Sequence, residues 1–269
     1  MNEIVLGNQM VLWKRRLSQV QLLKASSMEI AVLLKSAWPE KDPIIADDLQ
    51  DEFEHTNGKP VRNVVTKSSA RSKGYFASEK SKEMNAWESF TEYKFMCLLE
   101  CDPTVKSFYS QPIQVSYPWI KGRRRHTPDF LSWREDGPHI TEIKWAKEAG
   151  KPENVERFQF FRDFFRQFGI AYHVCDQHVI NLKPRLSNCQ ELIRHRGRGV
   201  SYEQKELVQG HLEHFQESSV SELADLLAHP DGEEIVYAMV LRGHIAIDHN
   251  MPIGQESRVQ LVKGGRVSK

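Results

Sequence analysis

A chain of 269 residues can hold one large or two modest cores, and 40% apolar with 27% charged residues describes a globular protein, not a disordered or fibrous one. No run approaches the ~18 apolar residues of a membrane span, and "MNEIVLGNQMVLWKRR" lacks the cationic start, apolar stretch and cleavage site of a signal peptide, so a cytosolic protein is expected. Four cysteines (Cys97, Cys101, Cys175 and Cys189) with no C-x-x-C spacing argue against a disulfide framework and against zinc, and a net charge of +1 does not by itself mark a nucleic-acid binder.

The charges are segregated along the chain. Between Glu40 and Glu54 seven acidic residues stand against one Lys, whereas from Lys59 to Lys82 seven Lys or Arg stand against Glu79. Such segregation lets a near-neutral chain present a phosphate-facing surface. Residues 1–84 are polar and weakly periodic, and "TKSSARSKGYFASEKSKE" has the composition of a loop or arm. The first clear element is a helix over "NAWESFTEYKFMCLLECDP", with Asn85 as its cap and Asp102-Pro103 as its stop. Residues 110–117 alternate, with Ile113, Val115 and Tyr117 on one face of a strand. "IKGRRRH" reads as a turn, and strands around 124–133 and 139–146 follow, separated by the hairpin signal "EDG".

After Gly150-Lys151-Pro152, Phe158, Phe161, Phe164, Phe165 and Phe168 recur at helical spacing, a stripe that reads as core packing, and Gly169 supplies the stop. "IAYHVC" is a further strand. Residues 85–183 thus form an α/β unit ordered helix, three strands, helix, strand. Past a basic connector, "LIRHRGRG", residues 200–269 read as helices at about 202–216, 220–228 and 232–242, the second opened by a Ser219-x-x-Glu222 capping box. The strands "HIAID" and "RVQLV" complete a winged-helix-like unit.

The chemistry concentrates in "HTPDFLSWREDGPHITEIKWA". With a two-residue turn at Asp136-Gly137, Glu135 pairs with Pro138, Asp129 falls opposite Lys144 and Leu131 opposite Glu142. Asp129, Glu142 and Lys144 then project to one side of the hairpin, and Thr141, Ile143 and Trp145 to the other. On the preceding helix Glu88, Glu92, Phe95, Met96 and Leu99 share a stripe, which places two glutamates on a face that should be buried. Burying an ionised carboxylate costs several kcal/mol unless it is paired or metal-bound. A hard divalent ion such as Mg²⁺, with Mn²⁺ as substitute, takes oxygen ligands: Asp129, Glu142, the Ile143 carbonyl and a helix glutamate would supply them. Such a site lowers the pKa of a bound water and neutralises charge on a scissile phosphate, with Lys144 beside it to orient the water. The expected chemistry is phosphodiester hydrolysis.

Pro128-Asp129 followed by Glu142-Ile143-Lys144 resembles the motif of the PD-(D/E)xK nuclease superfamily, whose core is restriction-endonuclease-like. Within it, "ESFTEYKFMCLLECDPTVKSFYSQP", "HTPDF" and "EIKW", with the upstream "PVRNVVTKSSARSKGYFASEKS", look like the TnsA-type endonucleases of bacterial cut-and-paste transposons over roughly residues 60–260. The resemblance implies that Glu92 is the helix glutamate of the site, that Asp129 and Glu142 are metal carboxylates, and that Lys144 is the catalytic lysine. It further implies nicking of double-stranded DNA at the 5′ transposon ends, a DDE-type transposase subunit that handles the 3′ ends, an AAA+ regulator, and a place on the bacterial nucleoid when DNA is bound. A restriction or repair endonuclease, or a non-cleaving DNA-binding assembly subunit, would use the same fold. Lys67, Arg71 and Lys73 of the arm and Arg123, Arg124 and Arg125 of the turn are the expected DNA contacts. Glu233 and Glu234 open the third C-terminal helix, where a DNA reader would place donors, so that unit is expected to dock a protein. His211 and His214 read as a solvated helix face.

Overall fold

The computed structural model describes residues 72–262 except 112, 114, 120, 121 and 167, with the backbone alone at 115–119 and 122–125. Strands β1 (Gly74–Ala77) and β2 (Met84–Trp87) form an antiparallel hairpin. This replaces the end of the expected arm: Phe76 is buried and meets the rings of Tyr93 and Phe108, partners that only the folded chain supplies. Helix α1 (Phe90–Cys101) begins later than expected. Asn85 lies in β2, where its side-chain oxygen accepts from Ser110 N at 2.9 Å, and Ser89 caps the helix by accepting from Glu92 N at 3.2 Å.

Four strands make the central sheet, β3 (Val105–Ser110), β6 (Phe130–Arg134), β7 (Gly137–Ile143) and β8 (Ala171–Cys175), in the order β3-β6-β7-β8. The first three are antiparallel and β8 runs parallel to β7. The expected helix, three strands, helix, strand is therefore present, but its first strand lies at 105–110. Of the alternating residues, Val115 and Tyr117 belong instead to a separate hairpin of β4 (Val115–Trp119) and β5 (Gly122–His126), while Ile113 precedes it and is buried with Leu131 and Ile140. The expected turn "IKGRRRH" is mostly β5: consecutive arginines are tolerated in a two-stranded ribbon, where every strand is an edge.

The hairpin β6–β7 turns on Glu135-Asp136, one residue earlier than expected, and Gly137 opens β7 at φ 121°, a conformation open to glycine. Arg134 pairs with Gly137 and Leu131 with Ile140, a slip of two residues in the pairing. An even slip preserves which side chains share a face. On one face Leu131, Ile140 and Tyr172 pack with Phe158, Phe161 and Phe165 of α3 (Pro152–Arg166), which follows the short α2 (Ala146–Ala149). Fully burying such side chains stabilises by ~1.5–3 kcal/mol each.

On the other face Phe108 and Phe130 meet α1, and the same apolar cluster runs on through α4 (Gln177–Ile180), α5 (Arg185–Arg194) and the C-terminal elements. Those elements are α6 (Tyr202–Phe215), β9 (Glu217–Ser219), α7 (Val220–Leu227), α8 (Gly232–Leu241), β10 (Ile245–Ile247) and β11 (Arg258–Leu261). The expected hairpin gains a third strand, in the order β10-β11-β9, and Ser219 and Glu222 form the expected capping box. Only the first three residues of the "connector" are helical: Leu192 and Ile193 of α5 are buried, and beyond the helix Arg198 pairs with Asp231 at 2.8 Å and with Glu234. His211 Nε2 lies 2.7 Å from Ser218 Oγ, a local contact. All four cysteines are free, and no described helix is long and apolar enough to cross a membrane.

Candidate active site

Asp129 immediately precedes β6 and Glu142 lies near the end of β7, so extending the Phe130–Thr141 pairing by one residue sets the two carboxylates opposite each other. Sequence reasoning set Lys144 opposite Asp129; the two-residue slip moves the partner but keeps all three groups on the intended face. Ile143 N donates to Asp129 Oδ2 at 2.7 Å, and Lys144 Nζ lies 2.8 Å from Glu142 Oε1. The Lys144 amide donates to Cys175 O at 3.0 Å, which ties the Glu-x-Lys segment to β8.

The two carboxylates differ in basicity. Asp129 keeps some contact with water, but the surrounding protein and the facing Glu142 raise its pKa to about 8, against the opposing pull of Lys144 and of the Ile143 amide. Glu142 is buried, which by itself raises a carboxyl pKa, yet the His126 imidazole and the Lys144 ammonium hold it below the ordinary value. Burial opposes the charge on Lys144 as well, but Glu142 and Asp129 raise its pKa, so the ammonium is retained.

Glu92 stands at the start of α1, and its charge is felt at Asp129. Its carboxylate also closes the cap, accepting from Glu88 N at 2.8 Å and from Ser89 Oγ at 2.9 Å. Glu88 precedes the helix, accepts from Gln111 Nε2 at 3.2 Å and lies 3.6 Å from Lys73 Nζ. Gln111, buried at φ 47°, donates its amide to Asp129 O at 2.8 Å and so links the glutamates to the Pro-Asp segment. Of the expected DNA contacts, Arg123, Arg124 and Arg125 lie on β5, with the backbone of Arg124 paired to Tyr117. Lys73 is largely buried beside Glu88, and Lys67 and Arg71 lie outside the described residues.

Several neighbours were not singled out from the sequence. His126 Nε2 lies 3.1 Å from Glu142 Oε2, within ion-pair distance, yet neither atom has an aligned hydrogen bond. Phe161 stacks on the His126 ring with centroids 4.3 Å apart and also meets Tyr172 at 5.8 Å. Tyr172 Oη and Arg157 Nε are likewise buried without partners. Only His126 carried a signal, as the last residue of the basic run before Pro-Asp.

Among the described residues no three His, Cys, Asp or Glu side chains converge as a ready cluster for a metal ion. The facing Asp129 and Glu142 nevertheless suit Mg²⁺, which is commonly held by one or two carboxylates with water in the remaining positions, and Glu142 Oε2 is a buried carboxylate oxygen without an aligned donor. Residues 102–177, which span β3 to the start of α4 and contain Asp129, Glu142 and Lys144, match the family model described as TnsA-like endonuclease N terminal. No curated protein matches the chain.

Proposed function

We propose, from the match of residues 102–177 to the TnsA-like endonuclease N-terminal model, that this chain is the divalent-cation-dependent DNA endonuclease subunit of a heteromeric transposase, cleaving at the 5′ ends of a transposon. The observation that carries the reading is the pair Asp129 and Glu142, set opposite each other with Lys144 Nζ 2.8 Å from Glu142 Oε1. Asp129, Glu142 and the Ile143 carbonyl would hold Mg²⁺ or Mn²⁺, with Glu92 as a further ligand if it leaves its cap. When bound, the cation supplies Lewis acidity toward the phosphate and a water molecule. Lys144 offers a compact ammonium that positions the attacking water and offsets charge developing on the phosphate. Glu142 fixes that ammonium by direct contact. The Ile143 amide orients Asp129, and Gln111 braces the segment behind it.

Arg123, Arg124 and Arg125, with Lys67, Arg71 and Lys73, are proposed to track the duplex backbone. The C-terminal unit, with three helices before its last two strands, is read as winged-helix-like. The acidic start of α8 is tied up, Glu234 with Arg198 and Glu233 with Gln255 Nε2 at 3.2 Å. Such a face suits docking of a DDE-type transposase or an AAA+ regulator better than base readout.

The test is nicking of a transposon-end duplex and of supercoiled plasmid, with and without the transposase partner, in Mg²⁺ or in chelator. Wild type should cut only with the cation. Asp129→Ala and Glu142→Ala should abolish cutting with the fold intact, and Lys144→Ala should slow it ~100-fold or more at unchanged cation affinity. Cation-independent cutting, or a near wild-type rate in either carboxylate variant, overturns the reading.

A further inference from the structure

Around Phe161 of α3 lie four buried polar atoms without aligned hydrogen bonds: Glu142 Oε2 and His126 Nε2, which face each other at 3.1 Å, and Tyr172 Oη and Arg157 Nε, which have no partner among the described residues. Phe161 joins them physically. Its ring stacks on His126 and meets Tyr172, and Arg157 stands one helical turn before it on the same face of α3. Buried polar atoms are normally paired, and a cluster that is not signals a missing partner. Glu142 would be the obvious acceptor for Arg157 within the chain, yet no ion pair joins Arg157 to any described carboxylate. The guanidinium carbon instead rests 5.3 Å from the centroid of the adjacent Phe158 ring, which orients the planar fork but gives the buried Nε no acceptor.

We infer that Arg157 is a phosphate-binding residue of the site: its guanidinium reaches a non-bridging oxygen of the DNA phosphate that sits beside Lys144 and Glu142. A phosphate oxygen would give Arg157 the acceptor that no described carboxylate provides. An arginine fork matches phosphate geometry, which a second carboxylate or a metal ion at that point could not do next to a fixed cation. In keeping with that placement, the charge of Arg157 acts on both the Lys144 ammonium and the Tyr172 hydroxyl. Two cations from different elements, Lys144 from the end of β7 and Arg157 from α3, would then grip one phosphate, with buried Tyr172 closing the apolar side. The inference rests on the nuclease reading above, but its decisive test does not need cleavage.

That test is the affinity of the full-length chain for a nonspecific duplex, measured against salt with Ca²⁺ in place of Mg²⁺, for wild type, Arg157→Ala, Arg157→Gln and Arg157→Lys. Loss of one phosphate contact should make the slope of log K against log salt shallower by about 0.9 in the Ala and Gln variants. Lys, which keeps the charge but not the fork, should restore the slope. In Mg²⁺ the nicking rate at saturating DNA should fall ~100-fold in Ala and Gln and recover only partly in Lys. Melting temperatures should hold or rise, because an unpaired buried donor is removed. Unchanged slopes in Ala and Gln overturn the inference whatever the rates do, and leave Arg157 as a structural clamp on α3. Absence of nicking by wild type with every cation and partner would sink the nuclease reading instead, while the slopes would still decide Arg157.

Discussion

The surrounding protein and the facing Glu142 lift Asp129 from an ordinary 3.8 to about 8 in the cation-free protein. The native state therefore holds a proton that the unfolded chain releases near pH 4, and stability falls as pH rises between about 4 and about 8. Asp129→Asn removes the charge but keeps an acceptor for Ile143 N. In chelator at pH 8 it should melt a few degrees above wild type, at ~2–4 °C per kcal/mol for a chain of this size, and near pH 4 the two should coincide. Equal melting at pH 8 would mean that the carboxyl ionises freely. Glu92 invites a separate test because its carboxylate already closes the cap of α1. Glu92→Gln keeps an acceptor for Glu88 N, so a cap role predicts wild-type melting and cleavage, whereas a ligand role predicts wild-type melting with cleavage lost. We expect the second outcome, and a larger loss than in Glu88→Gln. Glu92→Ala should in either case melt lower, by the ~1 kcal/mol of a lost cap.

At the scale of elements, the turn between β1 and β2 is held by the end of α1. Glu100, 1% exposed, accepts from Ser78 Oγ at 2.7 Å and from Glu79 N at 2.9 Å, and Lys80 Nζ donates to Leu99 O at 3.1 Å and to Asp102 O. The lysine sits where the helix dipole favours a cation. Glu100→Ala strands two donors and should destabilise by about 2–3 kcal/mol in urea unfolding; a change below about 0.5 kcal/mol would mean that water replaces the carboxylate easily. The β6–β7 hairpin shows how an element can be misread without losing its meaning. Its turn closes one residue early at Gly137, the pairing slips by two, and the pleat returns Asp129, Glu142 and Lys144 to the same side. A slip by one would have sent them into opposite layers.

For the whole molecule, one apolar cluster joins α1 and β3 to α5 and to Val208, Leu223, Val236 and Val259 of the C-terminal unit. Arg242, beyond α8, also pairs with Glu79 in the β1–β2 turn at 3.0 Å. Deleting residues 200–269 should then do more than remove a docking surface: it strips apolar cover from α1 and α5, and the truncated chain should be insoluble or bind a hydrophobic dye strongly. A soluble, cooperatively melting fragment would show that the 85–183 unit is self-sufficient. The docking role proposed for the C-terminal unit is better tested in the intact chain by exposed substitutions such as Arg258→Glu, a residue 60% exposed at its side chain.

The sequence by itself determined what repeats at short range or stands in a fixed local order. The phenylalanine period made α3, Ser219 and Glu222 capped α7, and Pro128-Asp129 with Glu142-Ile143-Lys144 pointed to the chemical groups and to a nuclease-like site. The helix period and the cap depend on neighbours within a few residues, where side-chain spacing and backbone geometry are coupled directly, and the two short motifs stand in one hairpin. The tertiary structure alone decided that Gly74–Trp87 is a hairpin, because Phe76 finds its cover 17 and 32 positions away in Tyr93 and Phe108. It alone set Asp129 against Glu142, raised one carboxyl and lowered the other, and brought His126, Arg157 and Tyr172 to the same place from three separate elements. Those outcomes depend on burial and on charges distant in sequence, and neither exists until the sheet and α3 have closed on each other.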